Sequence, residues 1–288
     1  MTLHLRRLAA AAVAVSALVA PAAADAGYAD RVKATPGLEW YLPLDESEGR
    51  RFTDAVSGRR LGFAAARVTP GTPGALAEPG ARAVRFLGGG GGGASQSHIA
   101  LDTARTEAGN RPYSFEAWVK IERTDQRSLR IFSDEDYTGG TLVAARDGQL
   151  VFSRHDSGLR FGRPAAPSRA TTIATPVALD TWTHVVASYD GEQMHLFTDG
   201  VERASAVSTF AVEHDELVDS GQAELGVRSA LYFDGRYWLE FRGSLDEAAL
   251  YRRALTPCEV SDHHRAGAPP APGSSTAVIT VCGSVDGL

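Results

Sequence analysis

Cysteine is nearly absent from this chain: Cys258 and Cys282 are its two, both near the C-terminus. That excludes a small scaffold held together by many disulfides, and the spacing is not that of a zinc site. Positive charge is also in deficit, with Lys+Arg 29 against Asp+Glu 35 and a formal net charge of -6. An acidic chain is poorly suited to nucleic acid, whose binding depends on neutralising phosphates. Only Leu8–Val19 forms an apolar run, and it is shorter than the roughly 20 residues a membrane-spanning helix needs. Nucleophile motifs are missing as well: there is no Gly-x-Ser-x-Gly elbow and no His-Glu-x-x-His zinc helix. Gly88–Gly93 is a run of glycines, but no Lys-Ser/Thr follows it. It reads as a surface connection and not as a phosphate-cradling loop.

The apolar run that is present has a meaning of its own. Arg6 and Arg7 precede it, and Pro21 with Ala22, Ala23 and Ala24 follow it. A basic start, a short apolar core and small residues describe a secretory signal peptide over residues 1–24, cleaved near Ala24 or alternatively after Ala26. Its loss removes two arginines and no acid, taking the formal charge from -6 to -8. In a secreted chain the even cysteine pair suggests one disulfide, Cys258–Cys282, the alternative being two unrelated thiols. Such a bridge would close a loop of about 25 residues and contribute roughly 3 kcal/mol on the chain-entropy model.

The remaining sequence alternates where strands are expected. Tyr113–Ile121 is the clearest case: Phe115, Ala117, Val119 and Ile121 share one face, with Glu116, Trp118 and Lys120 on the other. Leu38–Leu44, Ala83–Leu87, His98–Leu101, Leu129–Ser133, Thr141–Arg146 and Gln149–Arg154 read as further strands. Trp182–Tyr189, Met194–Thr198, Val201–Ser208, Ala223–Val227, Leu239–Phe241 and Gly243–Tyr251 continue the series. Asp147-Gly148, Asp190-Gly191 and Asp199-Gly200 fall between such runs, as hairpin turns with positive φ require. Gly27–Gly37 reads as a polar lead-in, and Asp45–Arg60, Val68–Gly80 and Leu159–Ala178 as irregular connections. One helix is marked by Thr256 as cap, Pro257 at the first position and Glu259 completing a capping box. It is expected to end near His264. Together these imply an all-β, two-sheet antiparallel jelly-roll sandwich with one short C-terminal helix.

The ordered motifs Tyr41-Leu-Pro-Leu-Asp45, Ala83-Val-Arg-Phe86, Phe115-Glu-Ala-Trp-Val119, Trp182-Thr-His-Val-Val186, Tyr189-Asp-Gly191, Leu196-Phe-Thr-Asp-Gly200 and Gly243-Ser-Leu-Asp-Glu247, running into Tyr251-Arg-Arg-Ala-Leu255, resemble a known family. They are similar to the laminin G-like domains of bacterial secreted proteins, within the concanavalin A-like lectin/glucanase fold. The resemblance spans roughly residues 38–265, after a lead-in at 25–37 and before a C-terminal tail at 266–288. It implies a domain that binds glycans or proteins, often with a structural calcium ion. On the positions where relatives supply ligands, Asp54 and Asp246 are the expected calcium ligands; the competing reading has Asp246 cap a turn and pair with Arg252 or Arg253.

Catalysis is not the expectation. Glucanases of this fold need paired carboxylates on one strand face, and the Glu-x-Asp-x-x-Glu pattern is absent. Asp134-Glu135-Asp136 offers one pair at i and i+2 but reads as a solvated turn before Tyr137-Thr-Gly-Gly140. His184 and His195 lie on neighbouring strands where they could pair, and His263-His264 sits where a helix C-terminus favours a cation. Sugars stack on aromatic faces, and Leu231–Leu239 concentrates Tyr232, Phe233, Tyr237 and Trp238 around Asp234, Gly235 and Arg236. The expected ligand residues are therefore Tyr232, Phe233, Asp234, Arg236, Tyr237 and Trp238. The expected partner is a carbohydrate or another extracellular surface ligand. The alternatives are a divergent polysaccharide hydrolase or lyase and a protein-interaction or adhesion module. The sequence leaves the oligomeric state open.

Overall fold

The structure, a computed structural model, describes residues 27–88, 97–103, 110–126, 128–135, 138–159, 164–213, 223–226 and 240–268. Two eight-stranded antiparallel sheets face each other. Sheet A runs β14 (Val201–Val207), β13 (Gln193–Thr198), β12 (Trp182–Tyr189), β7 (Tyr113–Ile121), β16 (Gly243–Tyr251), β5 (Arg82–Phe86) and β4 (Val68–Pro73), with β1 (Leu38–Leu42) also paired to β16. Sheet B runs β11 (Arg169–Pro176), β10 (Gln149–Asp156), β9 (Gly139–Arg146), β8 (Leu129–Glu135), β15 (Glu224–Leu225), β6 (Ile99–Leu101), β3 (Arg60–Ala64) and β2 (Arg51–Thr53). Two helices are described, α1 (Tyr28–Ala34) and α2 (Pro257–Gly267).

The alternation in β7 explains both sides of sheet A. Phe115, Ala117, Val119 and Ile121 enter the core between the sheets. There the Phe115 ring stacks on Phe132 of sheet B, with centroids 4.4 Å apart and planes 12° apart. Burying one such side chain contributes roughly 1.5–3 kcal/mol. Trp118 faces the other way and is buried too, because α1 and α2 cover that side. Tyr28 and Val32 of α1 and Val260 of α2 pack there against Tyr41, Trp118, Val186, Phe197, Ala249 and Tyr251.

Two Asp-Gly pairs form the expected two-residue hairpins. Asp147 and Gly148 have φ of 50° and 75°, Asp199 and Gly200 of 51° and 77°. Asp190-Gly191 does not follow them. Tyr189 pairs with Met194, so the loop is longer, and the Asp190 carboxylate organises it by accepting the amides of Glu192 (2.8 Å) and Gln193 (2.6 Å).

Other expectations are corrected. The polar lead-in contains α1, which buries only Tyr28 and Val32 and so lacks the longer apolar stripe that marks a helix. Val68–Gly80 contains β4, an edge strand where Pro70 and Pro73 cost no ladder bond. Leu159–Ala178 contains β11, another edge strand, whose three threonines stand in place of apolar residues and leave no alternating apolar pattern. Asp134 and Glu135 are not a solvated turn; both are buried at the end of β8, while Asp136 lies outside the described residues. The helix capped by Thr256 runs to Gly267, one turn further than expected, with both halves of its capping box formed.

Candidate functional site

The outer face of sheet B carries the densest polar cluster on that sheet. Phe132, Val143, Phe152, Ile173 and Leu225 point into the core, so Ser133, Leu142, Ser153, Thr172 and Glu224 beside them point out; Ile131 also enters the core, at the bulge before Phe132. Register then places Ser133 of β8 beside Leu142, Leu142 beside Ser153, Ser153 beside Thr172, and Glu224 beside Ser133. At its centre Arg130 clamps Glu135 in two parallel contacts, Nε to Oε2 at 2.7 Å and Nη2 to Oε1 at 3.2 Å. Its remaining amino group donates to the Ser128 carbonyl at 2.8 Å, and Ser133 Oγ donates to Glu135 at 2.9 Å. His155 Nε2 stands 3.6 Å from the same carboxylate. His98 lies 3.9 Å from Glu224, and burial pulls its pKa below the ordinary imidazole value.

Sheet B also receives, in its own plane, both ends of the aromatic stretch. Gly226 N–H donates to the Ile131 carbonyl at 2.9 Å, and Phe241 N–H donates to the Gly226 carbonyl at 2.8 Å. Glu240 bridges to Arg130 in parallel. The chain thus leaves β15 and returns beside the Arg130–Glu135 pair. Tyr232, Phe233, Asp234, Arg236, Tyr237 and Trp238 themselves lie outside the described residues.

The two expected calcium ligands are placed differently from one another. Asp54 commits both oxygens to a local turn: Oδ1 accepts the amides of Tyr41 (2.9 Å) and Val56 (3.0 Å), Oδ2 the amide (3.0 Å) and hydroxyl (2.5 Å) of Ser57. It fastens the loop after β2 to β1. Asp246 is buried on a bulge of β16, where Oδ2 accepts the Ala75 amide at 2.8 Å. Its Oδ1 is buried and meets no hydrogen-bond partner. Burial, reinforced by Asp45, pushes the Asp246 carboxyl up to about 8. Glu247 beside it has φ of 56° and takes a hydrogen bond from the Tyr41 hydroxyl. Burial first, then Asp246, raises its pKa as well. Among the described residues no three His, Cys, Asp or Glu side chains are grouped to hold a metal. Of the two expected ligands, Asp54 has both oxygens engaged in a turn, whereas Asp246 has one oxygen without a hydrogen-bond partner. The turn-and-pair alternative is not seen either, since Arg252 binds Glu39 and Arg253 binds Glu259. Cys258 lies in the first turn of α2, and its expected partner Cys282 is outside the described residues.

A third cluster escaped sequence reasoning. Glu116 is fully buried on the outer face of sheet A. It accepts hydrogen bonds from Tyr28 Oη (3.0 Å) and from the rings of His184 (2.7 Å) and His263 (3.0 Å). His184 and His195 do not pair; His195 instead meets Glu202 at 3.0 Å and Asp190 at 3.8 Å. His263, read from the sequence as a helix-end cation, is buried against Glu116, whereas His264 stacks on Trp118. The available signal was Glu116 alternating outward near the middle of the central strand β7.

Solved structures share this architecture at low identity. The binding domain of the Paraclostridial mosquitocidal protein 1 superposes with a TM-score of 0.55 at 14% identity, covering 79% of this chain and 52% of that one. Domain 4 of AbnA, an extracellular arabinanase from Geobacillus stearothermophilus, in complex with arabinotriose, gives 0.53 at 21% identity, covering 79% and 98%. The botulinum neurotoxin serotype D ligand binding domain, in complex with N-acetylneuraminic acid, gives 0.56 at 12% identity, covering 80% and 50%. The chain thus spans about half the length of the toxin structures and nearly all of the arabinanase domain. No curated protein matches it. The match that covers more than half of the chain is to a family profile over residues 91–261, described as the concanavalin A-like lectin/glucanases superfamily. The sandwich, its strand order and that match together make this chain a member of the laminin G-like family within the concanavalin A-like lectin/glucanases superfamily.

Proposed function

We propose that the chain is a secreted, non-catalytic module that binds carbohydrate on the outer face of sheet B. One observation carries this reading: the chain leaves and rejoins sheet B beside Arg130 of β8, and the stretch between carries Tyr232, Phe233, Tyr237 and Trp238. Aromatic residues with polar neighbours are the combination that sugars favour, since ring C–H groups stack on aromatic faces while polar groups bind hydroxyls; the buried Arg130–Glu135 pair would fix the strand beside which that stretch starts and ends. Arg130 and Glu135 satisfy each other, so they act in this reading as a fixed support and not as acid and base. The arabinanase domain that shares the fold was solved with a neutral oligosaccharide and the neurotoxin domain with an acidic sugar. Both are therefore suitable probes. A structural calcium ion belongs to this reading, with Asp246 Oδ1 as the carboxylate oxygen that would meet it.

A glycan array on the mature protein, with and without calcium, tests the proposal. Retention of at least one glycan class is expected, lost in Tyr237→Ala and Trp238→Ala with the melting temperature unchanged. Absence of any retained glycan overturns it, and a large stability loss in those variants assigns the aromatics to the core.

A further inference from the structure

The Glu116 cluster joins four separate parts of the chain. Tyr28 and Thr35 come from α1 and its end, His263 from α2, His184 from β12 and Glu116 from β7. Proton positions follow from the partners. Thr35 Oγ1 donates its single proton to the Arg31 carbonyl at 2.9 Å. It must therefore accept from His263 Nε2, 2.8 Å away. His263 Nδ1 lies 3.0 Å from both oxygens of Glu116, an acceptor when ionised. Both ring nitrogens carry hydrogen, so His263 is an imidazolium. Hydroxyl, imidazole and carboxylate stand in the order of a nucleophilic triad, but an imidazolium takes no proton from Thr35.

We propose that Glu116, His263 and Thr35 form a proton-dependent clasp, which holds α1 on the outer face of sheet A while His263 is charged and releases it when His263 is neutral. Deprotonation removes one of the two ring donors and leaves a buried carboxylate without its counter-charge, which the interior does not tolerate. What α1 would uncover is apolar: Tyr28 and Val32 are the residues it buries against Trp118, Tyr41 and Tyr251. The charged and titratable surroundings are consistent with closure. Asp262 and Glu259 of α2 favour the charged ring, as Glu116 does. Arg31 of α1 is engaged by Asp262 at 3.1 Å, and Asp30 and Lys33 pair with each other at 3.7 Å. From the sheet, Tyr251 and Tyr41 present phenols whose pKa burial raises, and Glu247 reaches Tyr28 through its charge. His184 binds the same Glu116 oxygen through Nε2 while its Nδ1 meets no partner. His264 faces Asp199 at 3.9 Å and lies outside the clasp.

Amide hydrogen exchange of the full chain between about pH 5 and pH 9, expressed as protection factors, tests the clasp, with the His263 ring titration followed by NMR. Protection of residues 28–35 is expected to fall by about tenfold for each unit by which folding raises the His263 pKa, with β12 unchanged. His263→Gln should loosen α1 at every pH and abolish the pH slope. The double variant Glu116→Gln/His263→Gln should also be flat. Protection of α1 that stays constant while His263 loses its proton overturns the proposal, as does an unchanged slope in His263→Gln. Should a variant fail to fold, the wild-type profile decides.

Discussion

His263 and Glu116 lie 147 residues apart in sequence, yet the histidine Nδ1 sits 3.0 Å from each oxygen of the carboxylate. The pair has opposite pKa displacements. Burial works against the charge of Glu116, but His263 and His184 outweigh it and hold the carboxyl well below the usual range. Burial likewise works against charge on His263, and Glu116 outweighs it, leaving the imidazole above its ordinary value. A histidine raised by folding contributes stability that is complete below about pH 6.5 and is lost as pH rises through its folded pKa. A depressed carboxylate contributes stability that is complete above about pH 4.3 and is lost as pH falls through its folded pKa. The stability difference between wild type and His263→Gln should therefore be largest between about pH 4.5 and pH 6.5 and shrink at alkaline pH. Denaturant melts at several pH values measure it. Within the plateau, Glu116→Ala should cost about 3–5 kcal/mol, because it strands a buried imidazolium.

The Arg130–Glu135 pair makes a different prediction. Both side chains are nearly inaccessible, at 6% and 0%. Breaking such a pair from one side leaves an uncompensated charge, so Glu135→Ala should cost about 3–5 kcal/mol. Replacing both, as in Arg130→Met/Glu135→Leu, should cost much less. Urea midpoints of the two single variants and the double variant form the cycle that checks this. Additive losses would show that the pair does not act as a unit.

These two pairs also show where sequence reasoning reached and where it stopped. The alternation of Phe115, Ala117, Val119 and Ile121 is a local property, and it placed β7 and its inner face without knowledge of partners. The Thr256 cap is equally local and is present as read. Edge strands β4 and β11 were illegible because an edge tolerates proline and threonine, which write no alternation. The Glu116–His263 contact depends on how α2 folds back over sheet A, and nothing within either segment encodes that distance. Asp54 and Asp246 were legible as positions, but not as roles. Whether a carboxylate is consumed by a turn or left with an open oxygen depends on the amides that reach it.

The cap and the cysteines concern the same helix. Thr256 Oγ1 accepts the Glu259 amide at 3.3 Å, and the Glu259 carboxylate accepts the Thr256 amide at 2.8 Å. Thr256→Ala should lower stability by about 1 kcal/mol, read as a small drop in melting temperature. Cys258 follows in the first turn, so a bridge to Cys282 would anchor the tail to α2. Intact mass under non-reducing conditions should show the loss of two hydrogens, and reduction should lower the melting temperature. A thiol count of two under native conditions would rule the bridge out.

Asp246 offers the sharpest chemical test. Burial and Asp45 lift its carboxyl to about 8, well above a free aspartate. A carboxyl raised by folding binds its proton more tightly in the native state, so stability should fall as pH rises from about 4 to 8, by at most about 1.4 kcal/mol per pH unit. Asp246→Asn retains an oxygen for the Ala75 amide and carries no charge, so it should flatten this fall and stabilise the protein at pH 8. A cation at the open Oδ1 would relieve the same repulsion. Millimolar calcium should therefore raise the melting temperature of the wild type near pH 8 and leave Asp246→Asn unmoved. Asp54→Asn should lower it equally with and without calcium, because its oxygens hold a turn. Calcium that stabilises wild type and Asp246→Asn alike would move the ion elsewhere, and calcium that stabilises neither would remove it from the domain.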